Sequence, residues 1–153
     1  MIKLTKMTKK SFEDYMATSV EIFANEKVEN GTWDKASSIS NSKKEYDRLL
    51  PEGLQTPNNY FYSVLYHEKI IGYIWIAKST DNENTAFIYD FEIYPEFQNL
   101  GLGTKVINLI EIQAKQLSFT SLALHVFGNN SRAIHVYQKT GFQVTDINMQ
   151  KKL

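Results

Sequence analysis

Gln98-Asn99-Leu100-Gly101-Leu102-Gly103-Thr104 and Asn129-Asn130-Ser131-Arg132-Ala133-Ile134-His135-Val136-Tyr137-Gln138-Lys139-Thr140-Gly141-Phe142 are the two segments on which the fold turns. The first lies between a predicted strand, closed by Pro95 because proline has no N–H to donate, and a predicted helix from Thr104 to about Leu117. Its glycines permit close approach of the backbone. The free N–H groups and positive dipole end of the following helix favour an anion such as a phosphate. The segment is not a P-loop, since Gly-x-x-x-x-Gly-Lys-Ser/Thr is absent, and Val106 stands where a dinucleotide fingerprint needs a third small residue. Taken alone it reads equally well as a tight turn.

Outward from these segments the pattern alternates. After the loop 96–103 and the helix 104–117 come a strand Ser121 to Phe127, a helix Ser131 to Thr140 and a last strand Phe142 to Met149. The preceding half is built differently. Ile2 and Leu4 alternate with polar neighbours in a short first strand up to Lys6, and Phe12, Tyr15, Met16, Ser19, Ile22 and Phe23 recur at helical spacing from Ser11 until Asn30-Gly31 stops them. A more polar helix is predicted from about Asp34 to Leu50, and its weak apolar face suggests a mobile or substrate-facing element. Tyr60–Tyr66 and Ile70–Ala77 read as a hairpin about His67-Glu68-Lys69, and Thr85–Tyr94 as a third long strand. With no repeat and no linker, both halves should share one mixed sheet with helices on its faces, an α/β fold in one domain over residues 1–153.

Composition removes several function classes. Lys+Arg and Asp+Glu are both 17, so no charge excess makes nucleic acid or an anionic membrane the default partner. No cysteine is present, which excludes disulfides, thiolate catalysis and Cys-ligated zinc. The start Met1-Ile-Lys-Leu-Thr-Lys lacks a secretory h-region, and no run approaches the roughly 18 apolar residues of a membrane span. A cytoplasmic protein is the expectation.

Pro95, Gln98, Gly101, Gly103, Asn130, Ala133, Tyr137, Gly141 and Phe142 fall in register with the ordered motifs of the GNAT superfamily of acyl-CoA-dependent N-acetyltransferases, which the chain resembles over roughly residues 85–145. Asn25–Trp33, Leu49–Leu54, His125–Phe127 and Lys151–Leu153 are similar to a small bacterial group of that family, the YycN type. The resemblance implies a GNAT-like central sheet of about six to seven strands flanked by about four helices. It also implies acetyl-CoA as cosubstrate, without a metal, and acetyl transfer to a primary amine by direct attack in a ternary complex. The cofactor diphosphate would lie on the backbone N–H groups of Gln98, Asn99, Leu100, Gly101, Leu102, Gly103 and Thr104. The pantetheine arm would run between the strands ending at Tyr94 and Phe127, pairing with main-chain groups of Ile93 and Tyr94 and bordered by Asn130 and Ala133. Tyr137 would point its hydroxyl at the thioester sulfur, and an N–H near Ile93 would face the oxyanion.

For the base, three side chains compete. By the period of two, Asp90 and Glu92 share one strand face with Tyr94, opposite Phe87, Tyr89, Phe91 and Ile93. His125 sits where some similar enzymes carry a glutamate base, and imidazole is poised near neutral pH. Ordered water alone serves other members. Each residue also has a structural reading: Tyr137 as a core aromatic of an amphipathic helix, His125 as a hydrogen-bonded strand histidine, Asp90 or Glu92 as a cross-strand ion-pair partner. A catalytically silent acyl-CoA-binding module is the alternative function. The acceptor (small amine, peptide N-terminus or lysine) stays open, as does assembly, though a homodimer is common among similar folds.

Overall fold

The computed structural model describes residues 1–153. Strand β1 (Ile2–Lys6) leads into helix α1 (Lys9–Glu29) and helix α2 (Lys35–Leu49), then strands β2 (Asn59–Tyr66), β3 (Lys69–Lys78) and β4 (Thr85–Ile93). Helix α3 (Leu102–Gln116), strand β5 (Ser121–Leu124) and helix α4 (Ser131–Lys139) follow. The five strands form one sheet in sequence order, antiparallel throughout except that β4 and β5 run parallel. The mixed α/β architecture with four helices is as the sequence predicts; the number of strands is not.

The sheet separates two cores. On one face Val64, Ile71, Ile74 and Ile76 of the sheet and Val106, Ile107 and Ile110 of α3 are fully buried in one cluster. Each such side chain contributes roughly 1.5–3 kcal/mol by leaving water. On the other face an aromatic core of Tyr15, Tyr46, Phe61, Tyr73 and Trp75 lies under α1 and α2. Helix α1 begins two residues before the predicted Ser11 because Thr8 caps it, its Oγ1 accepting from the Ser11 N–H at 3.1 Å. The polar face of α2 is a packing face: Ser38 and Ser42 are buried, and Ser42 Oγ donates to the Val20 carbonyl at 2.6 Å. Small hydroxyl residues let the two helices approach closely, so the expectation of a mobile element is corrected while its far end, at Glu45 and Leu49, does face a cavity.

Three further corrections concern strands. Residues 142–149 form no strand and pair with nothing. Their apolar residues change phase between Val144 and Ile147, so neither face of an extended chain would be continuously apolar, and Val144 and Ile147 are exposed. The strand predicted to reach Phe127 ends at Leu124, where its pairing with β4 stops at Ile88. Finally, β4 carries a bulge: Ile76 faces Ile88 but Trp75 faces Asp90, leaving Tyr89 as the extra residue. The bulge brings Phe87 and Tyr89 onto the same face as Asp90 and Glu92, contrary to the simple alternation, and Tyr89 stacks on Trp75 at 4.7 Å.

Candidate active site

Beyond Ile88 and Leu124 the parallel strands part, while β4 runs on to Ile93. The opening is a cleft of about 780 Å³ between β4, the 98–104 loop and α4, and it continues into a cavity of about 320 Å³ toward α1 and α2. Tyr94 donates its N–H to the Ile71 carbonyl at 2.8 Å and accepts at its own carbonyl from Phe97, so both its main-chain groups are committed. The Ile93 carbonyl accepts from Gln98 Nε2 at 2.7 Å. Since N–H and C=O of one strand residue point the same way, the Ile93 N–H also faces away from β3, into the opening. Of the two main-chain candidates, Ile93 retains a donor toward the cleft.

At one end of the cleft, Gly101 sits at φ +73° and begins α3 with no side-chain cap. In contrast to α1 and α4, the first N–H groups of this 15-residue helix therefore have no side-chain partner. An uncapped helix start preceded by left-handed residues, Asn99 at φ +63° and Gly101, suits an anion. Gln98, Asn99, Gly101, Leu102, Gly103 and Thr104 line the cleft, whereas Leu100 is 60% exposed on the outside of the turn. Arg132, which the sequence reading left aside, holds the loop to α4 by donating to Gln98 Oε1 and Asn99 Oδ1, both at 2.7 Å. Asn130 caps α4 through the Ala133 N–H at 3.2 Å, which places both residues on the cleft wall.

The cleft and the cavity share Ile22, Glu26, Asp90, Phe91, Asn130, Ala133 and Tyr137, so only three titratable side chains stand where the two meet. Tyr137 packs edge-on to Phe142, and burial, followed by the negative Asp90, pushes its phenol up to about 12. It stays protonated and can donate. Asp90 accepts from the Tyr15 hydroxyl at 2.7 Å; burial pushes its carboxyl up to about 6, against the lowering by Tyr15. Glu26, on the last turns of α1, is open to solvent on one side and lines the cleft on the other, where partial desolvation and then Asp90 and Glu92 push it up to about 7. Glu92 accepts from the Tyr73 hydroxyl at 2.8 Å and lines only the cleft. His125 lines only the cavity, edge-on to Phe127 at 4.9 Å, and is held below its ordinary value by partial burial and then by Lys27. The structure thus brings Asp90 and Tyr137 together and sets Glu92 and His125 on opposite sides of them.

Glu26 was absent from the sequence candidates. Its signal was present: Tyr15, Ser19, Ile22 and Glu26 are spaced at four, three and four, so the helix face buried at Tyr15 and Ser19 runs on through the more exposed Ile22 to a carboxylate. Tyr15 and Tyr73, the donors to the two strand carboxylates, read in the sequence only as a residue of the helical apolar stripe and as a strand aromatic of the core and one pocket wall. No helix is long and apolar enough to cross a membrane, and no group of three or more His, Cys, Asp or Glu side chains is arranged to hold a metal.

The model of the acetyltransferase (GNAT) family matches residues 25–142. The uncharacterized N-acetyltransferase YycN of Bacillus subtilis (strain 168) is 37% identical over 154 residues, covering 99% of each chain. The uncharacterized N-acetyltransferase YdgE of the same organism is 33% identical, covering 98% of this chain and 97% of its own. The crystal structure of YycN superposes with a TM-score of 0.94 at 35% identity, covering 100% of this chain and 99% of that one. A Bacillus anthracis protein described as a candidate streptothricin acetyltransferase, solved with acetyl coenzyme A, is 30% identical over 60% of this chain and 52% of its own, with a TM-score of 0.54.

Proposed function

The chain belongs to the acetyltransferase (GNAT) family, and from that premise we propose that it moves the acetyl group of acetyl-CoA onto a primary amine by direct attack within a ternary complex. The family supports acetyl transfer as such; the amine and the roles below are our reading. The observation that carries it is the junction of cleft and cavity, where a donor phenol and two carboxylates of raised pKa meet beside the parted strands.

Presenting a lysine-like amine in neutral form at pH 7 costs about 4.6 kcal/mol, from about 3.4 units at about 1.36 kcal/mol each. Glu26 is the group we assign to that proton, directly or through one water, because a base near neutral pH combines the right charge state with driving force. Asp90 acts through it, its negative charge holding the Glu26 proton affinity high. As the amine nitrogen bonds to the thioester carbonyl, the Ile93 N–H faces the developing oxyanion. The carbon–sulfur bond then breaks and the thiolate leaves. A phenol near 12 cannot fully protonate a thiolate of about 8.5 without a cost of roughly 5 kcal/mol, so Tyr137 stabilises it as a hydrogen-bond donor.

The test is acceptor-dependent release of free thiol from acetyl-CoA across a panel of amines. Tyr137→Phe is expected to lower kcat by roughly 10²-fold while leaving the KM for acetyl-CoA within about threefold. Unchanged kcat removes Tyr137 from the mechanism. Binding of acetyl-CoA without acceptor-dependent release would select the silent module instead.

A further inference from the structure

Three aromatic rings from three separate parts of the chain close around one ammonium. Lys27 Nζ lies 5.6 Å from the centroid of Phe23 on α1, 5.5 Å from that of Trp33 in the α1–α2 connection and 5.8 Å from that of Phe127 beyond β5. These distances are within the range of cation–π attraction, about 6 Å. The box is built rather than incidental. Thr32 and Trp33 both donate their N–H groups to the Lys27 carbonyl, at 2.9 and 3.2 Å, and Gly31 at φ +78° reverses the chain so that Trp33 meets Phe23 edge-on at 5.5 Å. Lys27 makes no ion pair, although Glu26 and Glu45 line the same cavity.

The geometry points to a cation subsite: Phe23, Trp33 and Phe127 form an aromatic box for a second positively charged group of the acceptor, occupied in the free protein by the ammonium of Lys27. The assignment rests on the acetyl-transfer reading for what the cation belongs to, an acceptor that carries one ammonium besides its reacting amine. Phe23, Lys27 and Phe127 line the cavity that opens on the junction of Glu26, Asp90 and Tyr137, so a box ligand and a reacting amine share one continuous space. Charge favours the same class: Glu26, Glu45 and Asp90 line that cavity, and Lys27 and His125 are its basic groups. The lysine tether is flexible, and its ammonium gives up no hydrogen-bonded carboxylate on leaving the box.

Tetramethylammonium chloride is the probe, against matched sodium chloride and against tert-butanol as an uncharged molecule of similar shape. The indole N–H resonance of Trp33 reports occupancy. Trp75 is the internal control for fold, since it is 2% exposed and its indole donates to Asn59 Oδ1 at 2.9 Å. In Lys27→Ala the Trp33 resonance is expected to shift saturably with tetramethylammonium, at least tenfold tighter than in the wild type, because the tethered competitor is gone. Lys27→Gln should show the same order, and adding Phe23→Leu to Lys27→Ala should weaken binding severalfold. An unsaturable or absent shift in Lys27→Ala with the Trp75 resonance intact, an equal response to tert-butanol, or equal affinity in wild type and variant overturns the assignment. Because acetyl-CoA takes no part, failure here leaves acetyl transfer standing, and failure of thiol release leaves this measurement readable.

Discussion

Glu26→Gln is expected to lower kcat/KM at pH 7 by roughly 10²-fold, the usual contribution of a positioned proton acceptor, and to abolish the rise of kcat/KM with pH expected of the wild type around pH 7. The sign follows from the direction of the shift. A carboxyl raised to about 7 is mostly protonated, and inactive as a base, below that pH, so activity increases as pH passes upward through it. Burial is the first cause of the shift, and the negative charges of Asp90 and Glu92 come next. Asp90→Asn keeps an oxygen to accept from the Tyr15 hydroxyl but deletes one of those charges. It should therefore move the rise to lower pH, so that the variant outperforms the wild type in relative rate near pH 6. A Glu26→Gln enzyme with an unchanged pH profile would transfer the role elsewhere, and His125→Gln and Glu92→Gln, measured in parallel, would say where.

Gly72→Ala is expected to cost roughly 3 kcal/mol or more, at or beyond the upper end of the ordinary range for overpacking. A Cβ at this position would lie 2.1 Å from the Glu92 carbonyl oxygen and 3.1 Å from the Ile93 Cα, both backbone, with no side chain to swing aside. Gly72 pairs with Ile93, so relief requires β3 and β4 to separate at the strand end that presents Glu92 and the Ile93 N–H. For a chain of this size the loss corresponds to a drop in Tm of roughly 6–12 °C. Gly128→Ala is the control, since nothing lies within 4 Å of its added Cβ, and should fall within about 0.5 kcal/mol of the wild type. Equal melting temperatures for the two variants would show that the close approach of the strands is not required.

The contrast between these two residues shows what a sequence exposes. The segments 98–104 and 130–142 were legible because their structure is local: a glycine at a helix start, and a cap and a phenol about two turns apart along α4, depend on neighbours in the chain. The architecture followed from periodicity for the same reason. The phase of β4 was not legible, because the bulge at Tyr89 exists only in the pairing with Trp75 and Ile76, and simple alternation put Phe87 and Tyr89 on the wrong face. The tail at 142–149 failed as a strand because its apolar residues switch phase at Ile147, a detail that a count of β-formers overlooks. Glu26 escaped because a carboxylate in an amphipathic helix normally marks the solvent side, and only the cavity beyond Ile22 makes it a cleft residue. The two tyrosine–carboxylate pairs, Tyr15–Asp90 and Tyr73–Glu92, join residues 75 and 19 positions apart and appear only once the strands and α1 are assembled.

Calorimetric titration with acetyl-CoA and with desulfo-CoA, on the wild type and on a Gly101→Glu, Gly103→Glu double variant, tests the central claim most directly. The open start of α3 would hold the diphosphate through main-chain N–H groups, and two carboxylates placed there would repel it. The wild type is expected to bind both ligands with Kd on the order of micromolar, about −8 kcal/mol, and the double variant to lose binding while keeping its circular dichroism and a cooperative melting transition, lowered somewhat by the strain of a side chain at the φ +73° of Gly101. A wild type that binds neither ligand, or a folded double variant that binds as tightly as the wild type, would contradict the account.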